Sequence, residues 1–179
     1  MNQLTTVFLI FLFSSTLNVF AQEAVTPRLS PLEVKTVKNE DSYVKVTYSR
    51  PHKRDRVIFG DLVPYGKVWR LGANEATEIT ITEDIKIAGR DLEAGTYSLF
   101  AIPQEDKWNI IVNKELGLWG AYNYNKENDV MRFDVPTAET KETWEAFTID
   151  FEQRQDKTYM TMTWDKTKVS IPIDFQISE

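Results

Sequence analysis

The stretch Met160-Thr161-Met162-Thr163-Trp164-Asp165-Lys166-Thr167-Lys168-Val169-Ser170-Ile171-Pro172-Ile173 decides the fold class. Met160, Met162 and Trp164 alternate with threonines, and Val169, Ile171 and Ile173 alternate with polar residues or proline. A period of two places the apolar side chains on one face of an extended chain. Asp165-Lys166 between the two runs reads as a turn, so the expectation is a hairpin. Pro172 cannot donate to a ladder, which marks the returning run as an edge or a strand end.

Working backwards, the same period recurs. It is found at Val44-Val46-Tyr48, Ile79-Ile81, Ile85-Ile87, Tyr97-Leu99-Ala101, Trp108-Ile110-Val112, Val130–Val135 and Trp144–Phe151. No apolar pattern at helical spacing is sustained, although Ala138–Ala146 tolerates one or two helical turns. About eight to ten short strands separated by turn signals predict an all-β, single-domain β-sandwich, jelly-roll-like, with at most one or two short helices. The predicted division is a signal peptide over 1–21, an extended lead-in over 22–42 with an edge strand near Leu32-Glu33-Val34, and the sandwich over 43–179.

Val7-Phe8-Leu9-Ile10-Phe11-Leu12-Phe13 is followed by Ser14-Ser15-Thr16 and by Val19-Phe20-Ala21, with no charged side chain before Glu23. This apolar run is shorter than the roughly 20 residues a membrane span needs. A small residue closes it, so it reads as a secretory signal cleaved near Ala21. The expected location is the periplasm or the outside of the cell, with no transmembrane segment in the mature chain.

The chain has no cysteine, which excludes a disulfide framework, a thiolate metal site and a thiol nucleophile. Its net charge of −6 makes nucleic acid a poor partner, since that calls for a basic face. Small molecules, glycans and protein partners stay open, and no cofactor is indicated.

Residues 50–77 break the alternation. They contain Gly60, Gly66, Gly72, Pro51, Pro64 and the single histidine, His52. A long stretch without alternation inside a small domain either packs on itself or carries function. Arg50, Arg56, Tyr65, Trp69, Arg70, Asn74 and Glu75 are the candidate ligand contacts: aromatic walls with a few polar groups. The arginines suit a carboxylate or another anion. Trp119-Gly120-Ala121-Tyr122 is a second aromatic group for the same groove. The competing reading makes Trp69 and Tyr65 a plug at one end of the sandwich.

Several strings here resemble an exported bacterial family, domain of unknown function 2911. They are Tyr48-Ser49-Arg50-Pro51, Phe59–Arg70, Gly72–Thr77, Gly95–Pro103, Trp108…Asn113-Lys114 and Trp119-Gly120-Ala121-Tyr122. Members commonly carry Gly-Arg after Arg-Pro, where this chain has Asp55-Arg56. The resemblance implies export and supplies no catalytic residue.

Catalytic motifs are weak. A triad of Ser49, His52 and Asp55 or Asp61 lacks the Gly-x-Ser-x-Gly elbow. Asp61 and Glu75 flank the aromatic loop and make a carboxylate pair of the kind a hydrolase uses. Asn123–Asp129 is rich in oxygen ligands but lacks EF-hand spacing, and Gly60…Gly66…Gly72 is no phosphate loop. The reading favoured by the sequence is a non-enzymatic envelope module that binds a small ligand, glycan or peptide at 50–77. An envelope hydrolase using Asp61 and Glu75, and a structural or assembly component, are the alternatives.

Overall fold

A computed structural model describes residues 26–175. The predicted signal segment, 1–21, lies outside the described residues. Nine strands form: β1 (Leu32–Asn39), β2 (Ser42–Ser49), β3 (Ala73–Ile81), β4 (Ile85–Ile87), β5 (Arg90–Leu92), β6 (Gly95–Pro103), β7 (Lys107–Asn113), β8 (Asp129–Arg154) and β9 (Lys157–Phe175). A 3-10 turn at Lys126–Asn128 precedes β8. The all-β class predicted from the alternation holds. Every pairing between these strands is antiparallel, in one connected sheet of order β1-β2-β3-β6-β7-β8-β9-β4-β5.

The alternation dictates the core. Val44, Val46 and Tyr48 of β2 are buried, and so are Trp108, Ile110 and Val112 of β7. Strands β6 and β7 are also buried on their other face, where Phe100 and Ile111 pack with Ala76 and Leu118. That second face explains the unbroken apolar run in Leu99-Phe100-Ala101 and Ile110-Ile111-Val112.

Two sequence expectations change. The strands read separately at 130–135 and 144–151 are parts of β8, whose 26 residues pair with β7 over 129–136 and with β9 over 137–154. Ala138–Ala146 therefore lies within a strand, not in helical turns. It is mostly exposed there, so it carries no alternating apolar signal.

The second change is the hairpin at Asp165-Lys166. Strand β9 runs straight through this dipeptide, and Asp165 (φ 53°) sits opposite Trp144 at a register shift. A positive φ in a strand gives a bulge as readily as a turn. The reversal instead falls at Gln155-Asp156, between Arg154 and Lys157, with Gln155 at φ 48°. Glutamine gave no turn cue there.

The sheet bends so that β2 meets the second half of β8. The Tyr48 hydroxyl donates to Ile149 O at 3.3 Å and accepts from Ile149 N–H at 3.0 Å. Tyr48 and Phe147 meet edge to face at 5.8 Å.

Candidate functional site

The crossover from β2 to β3 packs on itself and against both halves of the sheet. Pro51 O accepts from Phe147 N–H at 2.9 Å, His52 bridges Ala146, and Lys53 N–H reaches Glu145 O at 2.6 Å. The chain then folds over Ile58, which is fully buried, with Val63 N–H bonded to Ile58 O at 2.8 Å. Trp69 exchanges two backbone bonds with Ala101 (2.7 and 2.8 Å) before the chain returns to β3.

The return is tight. Leu71 and Asn74 adopt left-handed backbone (φ 51° and 57°), a conformation that costs a non-glycine residue roughly 1–3 kcal/mol. Gly72 between them has no room for a side chain, because a β-carbon there would lie 2.8 Å from Ser49 O. Thr77 Oγ1 donates to Leu71 O at 2.5 Å, and Thr77 N–H to Arg70 O at 3.1 Å.

Between the crossover, the segment Arg28–Ser30 and Trp119 lies a cleft of about 530 Å³, within the size range of small-molecule sites. Four of the chain's eight arginines line it: Arg28, Arg54, Arg56 and Arg70. His52, Asn74 and three tryptophans, Trp69, Trp119 and Trp164, add to the wall. Among the described residues no aspartate or glutamate lines it, in a chain whose acidic residues outnumber its basic ones by 27 to 21.

The arginines differ in what they hold. Arg28 grips Glu75 through Nη1, at 2.7 and 2.9 Å from the two carboxylate oxygens. Arg54 reaches Leu29 O at 3.2 Å. Arg56 donates to Lys53 O and His52 O at 2.9 and 2.6 Å. Arg70 Nε is buried without a hydrogen-bond partner, and a β-carbon on Gly120 would sit 3.4 Å from its Nη1. Among the described residues, no guanidinium of Arg54, Arg56 or Arg70 is paired with a carboxylate, although the Arg54 backbone N–H donates to the Glu145 carboxylate at 2.9 Å.

Of the predicted contacts, Arg56, Trp69, Arg70 and Asn74 come together in the cleft and the other three do not. Arg50 turns away, donating to Thr148 Oγ1 at 3.0 Å and lying 3.8 Å from Glu33. Tyr65 is exposed and covers Gly60. Glu75 lines a neighbouring cavity of about 390 Å³ with Arg28, Leu32 and Glu78.

Trp69 is 8 % exposed and stacks on Trp164 with ring centres 6.0 Å apart. It also meets Trp108, Phe59 and Phe147, so most of its surface belongs to the core, whereas Tyr65, the other residue of the plug reading, is exposed. Sequence reasoning missed Arg28, Arg54 and Trp164. The charge density of Arg50, Lys53, Arg54 and Arg56 within seven residues was the available signal for Arg54. The part played by the lead-in had none.

The catalytic alternatives lose their geometry. Ser49 Oγ donates to Glu75 at 3.3 Å and accepts from Asn74 Nδ2, so it is not directed at His52. Asp61 is exposed and lines neither cavity. Burial works to raise the Glu75 carboxyl. Its own backbone amide, Arg28 and Ser49 outweigh that and hold it below the usual carboxylate range, the wrong direction for a general acid. In the Asn123–Asp129 loop, Asp129 accepts from Asn113, Tyr124 and Arg132, leaving its oxygens occupied by protein donors. Among the described residues no group of three or more His, Asp or Glu side chains is placed to hold a metal ion.

A family model described as a protein of unknown function (DUF2911) matches residues 30–173. The chain belongs to the DUF2911 family. The match takes in all the strands but the last two residues of β9, the crossover, and every cleft residue except Arg28 and Leu29. No curated protein and no solved structure matches this DUF2911 chain. Among the described residues of the DUF2911 chain, no helix is long and apolar enough to cross a membrane.

Proposed function

We propose that this protein is an exported, non-enzymatic binding module of the cell envelope that holds a small anionic ligand in the arginine-lined cleft. The ligand is a small molecule, or the acidic end of a glycan or peptide. Export rests on the N-terminal apolar run that ends at Ala21. The observation that carries binding is the concentration of Arg28, Arg54, Arg56 and Arg70 around one concave space with no carboxylate in its wall. Clustered like charges raise the free energy of the empty state, and an anion relieves it. The depressed Glu75 carboxyl favours binding over acid-catalysed hydrolysis.

The test is a thermal melt of the purified protein with citrate, galacturonate and a tripeptide bearing a free C-terminus, all at constant ionic strength. A ligand at a hundred times its Kd adds about 2.7 kcal/mol to stability. At least one anion is expected to raise Tm in a concentration-dependent way. The Arg56→Ala/Arg70→Ala double variant is expected to lose the effect. If no anion moves Tm, the crossover is scaffold and the binding reading is wrong.

A further inference from the structure

We propose that the anion selected by this cleft is a compact dianion, the phosphate of a small phosphate monoester, with the body of the ligand resting on Trp119. This rests on the anion-binding reading above and narrows it.

The argument is one of charge matching. Arg28 is already neutralised by Glu75. Arg54, Arg56 and Arg70 remain, and the side-chain bonds that Arg54 and Arg56 make go to the carbonyls of Leu29, Lys53 and His52. A backbone carbonyl orients a guanidinium without cancelling its charge. A monocarboxylate brings one charge and two oxygens to three such groups. A phosphate monoester brings a charge of about −1.5 to −2 near neutral pH and three terminal oxygens. It therefore has a terminal oxygen for each of the three guanidinium groups. All the long cationic residues in the wall are arginine, and none is lysine, which also favours fork recognition over a point charge.

Trp119 supplies the second half. Trp119 is 58 % exposed at the rim, yet its backbone is fixed. It bridges Glu75, and the next residue, Gly120, donates to Asn74 O at 2.9 Å. A large aromatic surface held rigid and open beside an anion site suits a ring carried by the ester oxygen.

Three probes separate the terms: phenyl phosphate, phenyl sulfate and inorganic phosphate, titrated calorimetrically. Phenyl sulfate has the shape of phenyl phosphate with a single charge. Phenyl phosphate is expected to bind at least about tenfold tighter than phenyl sulfate, the scale of an added charge-assisted hydrogen bond. Arg70→Ala, and separately Arg54→Ala at the exposed rim, bring the two ligands closer together in affinity. Trp119→Ala is expected to weaken phenyl phosphate about threefold to tenfold and to leave inorganic phosphate unchanged. Equal affinity for phenyl phosphate and phenyl sulfate overturns the dianion proposal while the anion-binding reading stands. An equal loss for phenyl phosphate and inorganic phosphate in Trp119→Ala overturns the role given to Trp119. No binding of any of the three overturns the phosphate proposal, and the citrate, galacturonate and tripeptide melts then decide the broader reading.

Discussion

Tyr48 and Ile149 exchange two hydrogen bonds across the bend of the sheet, 101 residues apart in sequence, through one phenolic oxygen. Tyr48→Phe keeps the ring packed on Phe147 and leaves the buried Ile149 amide without its acceptor. A buried polar group stripped of its partner costs about 1–3 kcal/mol. A fall of that size in denaturant-unfolding free energy is the expected result, with the m-value unchanged.

The same hydroxyl sets an alkaline limit. Burial pushes the Tyr48 phenol up to about 12, opposed by the Ile149 amide and helped by Glu33 and Asp150. Unfolded tyrosine titrates near 10.0. Between these values the folded state keeps a proton that the unfolded state has lost, so the stabilisation is complete below pH 10 and drains away towards pH 12. Tyr124, raised to about 12 by burial and Asp129, behaves alike. Stability measured across this range is expected to fall less steeply in Tyr48→Phe than in the parent chain, with Tyr124 and Tyr97, the latter raised by burial and by Glu93 and Asp84, contributing to the remaining slope.

Trp69 and Trp119 line one cleft and should respond oppositely to truncation. Trp69→Ala empties the centre of an aromatic cluster and is expected to cost about 3–5 kcal/mol. Trp119→Ala removes an exposed ring and is expected to stay within about 0.5 kcal/mol. Paired thermal melts check this. A large loss in Trp119→Ala would make it a structural residue.

Gly72→Ala forces a methyl group against the Ser49 carbonyl, where the backbone has little freedom to give. Overpacking of this kind costs about 1–3 kcal/mol. The displaced segment carries Arg70 and Asn74, so anion affinity is expected to fall together with Tm.

The Arg28–Glu75 pair ties the lead-in to β3. The carboxyl is held below its ordinary 4.5, so the tie is complete above that value and weakens as pH falls through the lower, folded one. Arg50 N–H, bonded to Pro31 O at 2.8 Å, reports on the tie. Its hydrogen exchange, corrected for intrinsic rate, is expected to quicken as pH drops below 4.5. Glu75→Gln should show the same at neutral pH. Unchanged exchange in that variant would mean that Asn74 and Arg54, through Ser30 O and Leu29 O, hold the segment alone.

Local patterning made the central strands legible. Val44-Val46-Tyr48 and Trp108-Ile110-Val112 each report a buried face directly. It misled where a strand changes partners, since Ala138–Ala146 is exposed and lacks the alternation a reader uses. Asp165 resembles a turn residue because bulges and turns share a positive φ. In the cleft, Arg56, Arg70 and Asn74 were recoverable because they are close in sequence to one broken pattern. Arg28 was not, because its place is set by a Glu75 contact 47 residues away.

Strand β4 pairs with the neighbouring β5 on one edge and, on the other, with Ile173–Phe175 of β9. The β4–β5 hairpin therefore forms locally but joins the rest of the sheet only through the nineteen-residue β9. The order of the strands thus ties closure of the sheet to β9, which follows every other strand in sequence.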